Sequence, residues 1–214
     1  MLVGIVEKVG SVLKKYKKLV IGIDQSYTRT GISLAGDGQL LKVGYIPFEA
    51  SECHSEKRKK VKGKLTQIIK LNQQKASEVV IIVERIRQFS GGTLSMDYIK
   101  STGALIGCIV DTAREFGIPV YSADTRSWKS QVVGTSVPKA NSFNVDPKKW
   151  PTIAFLLRRS DVHERDLLVP VGKRSKKFAK QIGGVKFCYN DDAADSACIA
   201  LYGFCKGRNL KKEE

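Results

Sequence analysis

Apolar residues along this chain come first in unbroken runs, then at helical spacing, then in runs again. "KLVIGID" (18–24) is a continuous apolar run that ends in an acid, the pattern of a strand buried on both faces and delivering Asp24 at its carboxyl end. "TGISLAGDGQLLKVGYI" follows, with two apolar stretches around Gly36-Asp37-Gly38, a hairpin-turn signal. Three strands therefore open the fold, the first two joined through "QSYTR".

The period then changes. In "SEKRKKVKGKLTQIIKLNQQK" the apolar positions Val61, Leu65, Ile68, Ile69 and Leu71 recur at helical spacing, predicting one core-facing side and one lysine-rich side. "SEVVIIVERI" returns to an unbroken run and predicts the fourth strand, ending at Glu84. "SMDYIKSTGALIGCIVDTAREF" predicts a long helix with Ser95 as N-cap, closed by Gly117-Ile118-Pro119. "PVYSAD" predicts a strand and "TRSWKSQVVG" a short helix.

Residues 134–187 break the rhythm with Pro138, Pro147, Pro151, Pro170 and the basic run "GKRSKKFAKQIGG". "WPTIAFLLRRSDVHERDLL" starts as a helix with Pro151 in its first turn, and the rest is expected to be solvated backbone. "YNDDAADSACIALYGFC" predicts a helix of small residues, and "KGRNLKKEE" a frayed tail. The expected plan is an extension over 1–17, one domain over 18–206 interrupted at about 139–187, and a charged tail over 207–214. The element order, βββ-α-β-α-β-α-insert-α, predicts an α/β fold with a mixed five-stranded sheet, meander first, flanked by helices. That is the order of the ribonuclease H-like fold.

Composition narrows the class of partner. In 214 residues, 37 Lys and Arg against 21 Asp and Glu leave a net charge of +16, which attracts polyanions: nucleic acid first, an anionic membrane second. Apolar runs never reach the ~18 residues of a spanning helix. Residues 1–18 place their charge after the apolar part, the reverse of a secretory signal, so they read as a packing or dimer-contact extension. The five cysteines are irregularly spaced, which predicts buried free thiols in a reducing compartment: a cytoplasmic protein, not a secreted one. Cys53-His54 has no C-x-x-C partner and is not read as a zinc site.

The acids carry the chemistry. Asp24 and Glu84 end strands that can lie side by side, and ligand sites gather at the carboxyl ends of strands in open α/β sheets. In "DDAAD", Asp192 and Asp195 are three apart and Asp191 and Asp195 four apart, so each pair shares a helix face, while Ala193 and Ala194 permit close approach to the sheet. Two unit charges at about 4 Å repel by roughly 4 kcal/mol at an effective dielectric near 20, so such a cluster keeps a proton or binds cations. Oxygen donors without histidine or cysteine favour Mg²⁺, with Mn²⁺ as substitute. The plainer alternatives are helix capping by Asp191 or Asp192 and surface pairing of Glu84 with Arg85 or Arg87.

These residues resemble the RuvC-type Holliday junction resolvases. "IGIDQSYTRTGIS" is similar to that family's first-strand motif, "VVIIVERI" to its second and "DDAADSACIA" to its closing motif. "IPVYSADTRSWKSQVVGTSVPK" is similar to its segment carrying an essential lysine. The resemblance covers about 18–138 and 188–206, and residues 139–187 have no counterpart.

The resemblance implies catalytic Asp24, Glu84, Asp192 and Asp195 holding two Mg²⁺ ions, with Asp191 as N-cap or second-layer group. Lys129 would touch the phosphate, Lys139 would be a further basic contact, and Phe89 a wedge between junction bases. It also implies a structure-specific endonuclease on four-way and other branched DNA, leaving 5′-phosphates by paired nicks. The elongated, lysine-rich form points to a phage or other viral branch. Lys57, Arg58, Lys59, Lys60 and Lys62, with Arg85, Arg87, Lys173, Arg174, Lys176 and Lys177, are the expected backbone-phosphate contacts. A four-way junction offers two symmetric scissile positions, which a C2 homodimer would match. The rivals are a ribonuclease H on RNA–DNA hybrids, a non-catalytic nucleic-acid-binding protein, and an actin-like ATPase. The last needs a second phosphate loop that the chain lacks, so no nucleotide cofactor is expected.

Overall fold

The first strand sets the frame. β1 (Tyr16–Asp24) alternates its buried side chains between two faces: Leu19, Ile21 and Ile23 enter one apolar cluster and Val20 the other. It is central because both of its edges are paired. β2 (Arg29–Gly36) runs antiparallel on one side, with Asp24 opposite Gly31. β5 (Ala76–Glu84) runs parallel on the other, with Ile23 opposite Val83, so Asp24 and Glu84 emerge side by side at the same end.

The structure is a computed structural model, and the residues described are 16–86, 96–134, 146, 148–171 and 179–213. β2 turns through Asp37 and Gly38, both at positive φ (48° and 86°), into β3 (Gln39–Lys42). Two successive left-handed residues are what a tight hairpin demands, and an Asp-Gly pair supplies them. β4 (Tyr45–Pro47) folds back on the start of β2. β6 (Val120–Ala123) lies parallel to β5, and β10 (Leu210–Glu213) closes that edge antiparallel. The sheet thus has seven strands, β10-β6-β5-β1-β2-β3 with β4 also on β2.

On one face α1 (His54–Asn72) and α2 (Met96–Arg114) cover Ile21, Ile23, Ile81 and Val83, with Val61, Leu65 and Ile69 of α1 as the contact stripe. On the other face α5 (Asp191–Tyr202) and α4 (Trp150–Leu157) cover Val20, Val80 and Ile82. Between β6 and α4, α3 (Thr125–Trp128) runs into a single π-helical turn, Lys129–Val133, ended by Gly134 at φ 72°.

The mixed α/β class is the expected one, and four local expectations change. The sheet gains β4 and β10. The tail is ordered because Gly207, at φ 66°, reverses the chain and Tyr202 Oη accepts from the Asn209 amide at 2.7 Å. Its Lys211-Lys212 pattern is that of a charged edge strand. Leu71 is 60% exposed, because it lies off the Val61, Leu65 and Ile69 stripe that faces the sheet. The interruption is not only solvated backbone: β7 (Leu168–Pro170), β8 (Lys180–Ile182) and β9 (Val185–Tyr189) form a second, three-stranded sheet ordered β7-β9-β8. Its strands are too short for period-two patterning to show in the sequence. Among the described residues no helix is long and apolar enough to cross a membrane, and Cys53, Cys108, Cys188, Cys198 and Cys205 are all free thiols, though of the five only Cys198 is fully buried and Cys53 is exposed.

Candidate active site

Glycine and alanine bring the third acid-bearing element in. α5 crosses β1 and β2 backbone to backbone: a Cβ at Gly22 would overlap the Ser196 carbonyl and the Ala200 amide, and one at Gly31 the Asp192 carbonyl. Ala193, Ala194, Ala197 and Ala200 are fully buried on the helix side of this contact. A buried hydrogen bond, Ser33 Oγ to Ser196 Oγ at 2.7 Å, fixes the axial register. With no larger side chain between them, the first turns of α5 lie over the ends of β1 and β2, and Asp192 and Asp195 join Asp24 and Glu84.

Charge records that convergence. Burial, then the Glu84, Asp195 and Asp192 charges, push the Asp24 carboxyl well above the usual carboxylate range, and only Lys129 opposes them. Burial also raises Asp195, against Lys129, whose Nζ is 3.7 Å from Asp195 Oδ2, and a hydrogen bond from Thr152. All four expected carboxylates therefore sit in one electrostatic neighbourhood, with Lys129 on its rim.

The surrounding residues hold each acid in place. The Gln25 side chain is buried and continues the β1–β5 ladder beyond its last residue, accepting from the Glu84 amide at 3.1 Å and donating to the Glu84 carbonyl. Glu84 Oε1 accepts from Thr125 Oγ1 at 2.6 Å and from Trp128 Nε1 at 3.3 Å. Arg29 Nε is 3.5 Å from Asp192 Oδ2. Asp124 caps α3 through the Arg126 and Ser127 amides, which aims Thr125 and Trp128 at Glu84 and sets Lys129 one residue further on.

Asp191 is not the N-cap. Asn190 is, its side chain accepting from the Ala193 amide at 3.2 Å, while Asp191 pairs with Lys149. An uncharged cap fits here because it satisfies the orphan amide without adding a further negative charge to the cluster.

The other expected contacts divide. Arg85 binds Ser122, Nε to Oγ at 3.3 Å, and so ties β5 to β6 rather than pairing with Glu84. Lys60 pairs with Glu52, and Lys62 with Glu115 at 2.6 Å. Lys57 donates to the Tyr27 carbonyl at 2.9 Å and lies 5.6 Å from the Phe48 ring centre. Arg58 is half-buried on α1 and Lys59 is exposed. Arg87, Phe89, Ser95, Lys139, Lys173, Arg174, Lys176 and Lys177 lie outside the described residues.

The structure adds Gln25, Arg29, Thr125, Trp128, Lys149, Thr152 and Asn190 to the site. Gln25 directly follows an acid at a strand's end, a signal present in the sequence. Arg29, Lys149 and Thr152 reach the acids only through tertiary packing. Arg126, Lys129 and Lys148, with Thr125 and Thr152, line a cleft of about 480 Å³ beside the acids, so positive charge adjoins negative charge here.

Oxygen-only donors around a carboxyl with abnormally high proton affinity fit a hard divalent cation in composition. As the side chains stand, no three His, Cys, Asp or Glu side chains among the described residues converge on a single ion position. Arg29 at Asp192, Lys129 at Asp195 and the Thr125–Trp128 pair at Glu84 are the partners of these carboxylates instead.

No family model and no curated relative matches this chain. Solved structures do. "T. thermophilus RuvC in complex with Holliday junction substrate" matches with a TM-score of 0.53 at 17% identity, over 87% of this chain and 93% of that one. "Thermus thermophilus RuvC structure" matches with a TM-score of 0.50 at 18% identity, over the same shares. The chain therefore has the mixed-sheet, ribonuclease H-like fold of RuvC, over nearly the whole length of both.

Proposed function

We propose that this protein is a divalent-metal-dependent endonuclease that cuts branched DNA, four-way junctions above all, by paired nicks. The observation that carries the reading is the convergence of Asp24, Glu84, Asp192 and Asp195 from three separate elements, with burial and mutual charge raising Asp24. A nearly full-length likeness to a RuvC bound to a Holliday junction supports it, as does the net charge of +16.

Asp24, Glu84, Asp192 and Asp195 would hold Mg²⁺, two ions in this reading, with Mn²⁺ as substitute. Bound there, such ions would lower the pKa of a water for attack on a phosphodiester and stabilise the leaving oxygen. Gln25 fixes the spacing of Asp24 and Glu84. Thr125 and Trp128 orient the Glu84 carboxylate through one of its two oxygens. Lys129, tethered between Asp195 and the Trp128 ring (5.0 Å), would counter charge developing on the phosphate. Arg126 and Lys148 in the adjoining cleft would hold the flanking backbone without reading bases. A C2 homodimer would present two such sites to the two symmetric strands. The site of action in this reading is the cytoplasm of a bacterium or of a phage- or virus-infected host.

The test is cleavage of an end-labelled set comprising four-way junction, fork, plain duplex and RNA–DNA hybrid in Mg²⁺. Symmetric nicks on the junction with 5′-phosphate ends are expected. Preferential cutting of the hybrid would convert the reading to a ribonuclease H, and absence of any cleavage would overturn it.

A further inference from the structure

Beside the stripe that α1 turns to the sheet lies a second one. Ile68 and Leu71 are three residues apart and flank an apolar cleft of about 640 Å³. Its other wall is the sheet beyond α1: Ile32 and Leu34 of β2, Leu41 of β3 and Tyr45 of β4. Each wall carries one well-exposed leucine, Leu71 at 60% and Leu41 at 40%. The cleft runs along α1 from Lys64 to Lys75, roughly 16 Å at 1.5 Å per residue.

The chain enters at one end of this cleft. Tyr16, the first described residue, is part of its wall, and its ring and Leu41 meet over Gly36, where an added Cβ would stand 2.8 Å from Tyr16 Cδ1 and 3.0 Å from Leu41 Cδ1. Tyr16 opens β1 opposite Ala76, which opens β5. β5 is fed by α1 through a single turn, Gln73–Lys75. A helix ahead of β1 would therefore stand to β1 as α1 stands to β5, alongside α1 and over β2 and β3.

Residues 1–15 have the pattern for that place. Leu2, Ile5, Val6, Val9, Val12 and Leu13 share one side of a helix, at intervals of three and four. Tyr16 continues the same stripe. Glu7, Lys8, Ser11, Lys14 and Lys15 fall on the opposite side. Wound as a helix, residues 1–13 span about 18 Å, enough to fill the cleft from Tyr16 onward. The rim residues Lys42, Lys64 and Lys75 repel the lysine-bearing side, so the apolar side is the one that fits inward.

We propose that residues 1–15 form an amphipathic helix that docks in this cleft of its own chain, parallel to α1, covering Leu41, Ile68 and Leu71. This goes beyond the nuclease reading and does not depend on it. β2 is the strand whose Gly31 lies beneath Asp192, so the docked helix would back the sheet on the face opposite α5.

The test uses the full chain, as an equal mixture of heavy-nitrogen-labelled and unlabelled protein treated with an amine-reactive cross-linker. Lys8 is expected to link to Lys64 or Lys42 within chains of one label. Amide hydrogen exchange over residues 5–13 is expected to be slowed. Ile5→Asp with Val9→Asp is expected to lose both signals, and Ile5→Leu with Val9→Leu to keep them. Leu71→Asp, on the cleft wall, is expected to lose them as well. Should Leu71→Asp unfold the protein, Leu41→Asp on the opposite wall supplies the readout. Unslowed exchange over 5–13 in the wild-type chain overturns the proposal, as does slowed exchange that survives the wall variants. Lys8 links that join labelled to unlabelled chains as often as random pairing allows would seat the segment on a second copy, and also overturn it.

Discussion

The backbone of Gly31 lies directly beneath that of Asp192, so closely that a Cβ at position 31 would overlap the Asp192 carbonyl and stand 3.0 Å from Ser196 Cβ. The nearest atoms met are main chain, which cannot rotate away. Gly31→Ala must therefore lift the first turn of α5 from the sheet. We expect a loss of about 1–3 kcal/mol in stability, the usual cost of overpacking. Activity should fall about a hundredfold or more, because a displacement near 1 Å misplaces Asp192 and Asp195. Urea unfolding and initial cleavage rates check both. Near-wild-type cleavage by Gly31→Ala would mean that α5 does not position the acids.

Asp24 carries the strongest charge penalty. Its folded-state proton affinity is raised, so the native protein binds more protons than the unfolded chain between the ordinary carboxylate value and the raised one. Stability therefore falls as pH rises through that window. Asp24→Asn removes the penalty. In EDTA at neutral pH we expect it to melt above wild type, while cleavage is lost and junction binding in Ca²⁺ persists. Wild type should gain more thermal stability from Mg²⁺ than the variant, through ligand linkage. Thermal melts with and without the cation check this, and equal Mg²⁺ responses would remove Asp24 from the metal-binding set.

Lys129 faces Asp195 and the cleft together. Lys129→Met keeps the aliphatic stem against Trp128 but removes the charge. We expect cleavage to slow by about 10²–10³-fold, the cost of removing one preorganised stabilising group, with junction affinity changed little. Single-turnover rates at saturating protein separate the two effects.

Glu164 supports the base of the β8–β9 hairpin, and Lys180 and then Tyr189 hold its carboxyl below the usual glutamate range. A depressed folded value contributes stability that is present above the unfolded value and is lost as pH falls through the folded one. Glu164→Gln should therefore destabilise the protein at neutral pH, and the difference should close as pH falls through the lowered folded-state value, where the wild-type carboxyl becomes protonated. Paired thermal melts across this range check it.

Backbone contacts predict the response to salt. The logarithm of junction affinity should fall linearly with the logarithm of salt concentration, by about 0.9 per phosphate neutralised. Lys148→Ala, which empties one cationic position in the cleft, should reduce that slope by about one. Fluorescence anisotropy across a salt series reads the slope directly.

Much of this protein is legible in its residue pattern. Unbroken apolar runs announce β1, β5 and β6, helical spacing announces α1, and an acid at the end of each of two runs marks Asp24 and Glu84, because strand burial and strand ends are local properties. "DDAAD" shows a helix start with acids on one face and alanines between them. Other features require tertiary contact. That Asn190 rather than a neighbouring acid caps α5, that Asp191 belongs to Lys149, that Gln25 ties Asp24 to Glu84 and that Arg29 meets Asp192 emerge only once the chain is packed. The small sheet of the interruption and the edge strand at the tail are built from three- to five-residue strands. Their pattern is too short to stand out from loop, so pairing alone makes them strands. The sequence by itself determined which residues are charged, apolar or small. The packing of α5 onto two glycines decided that four of the chain's acids share one place, because there the helix backbone rests directly on the sheet.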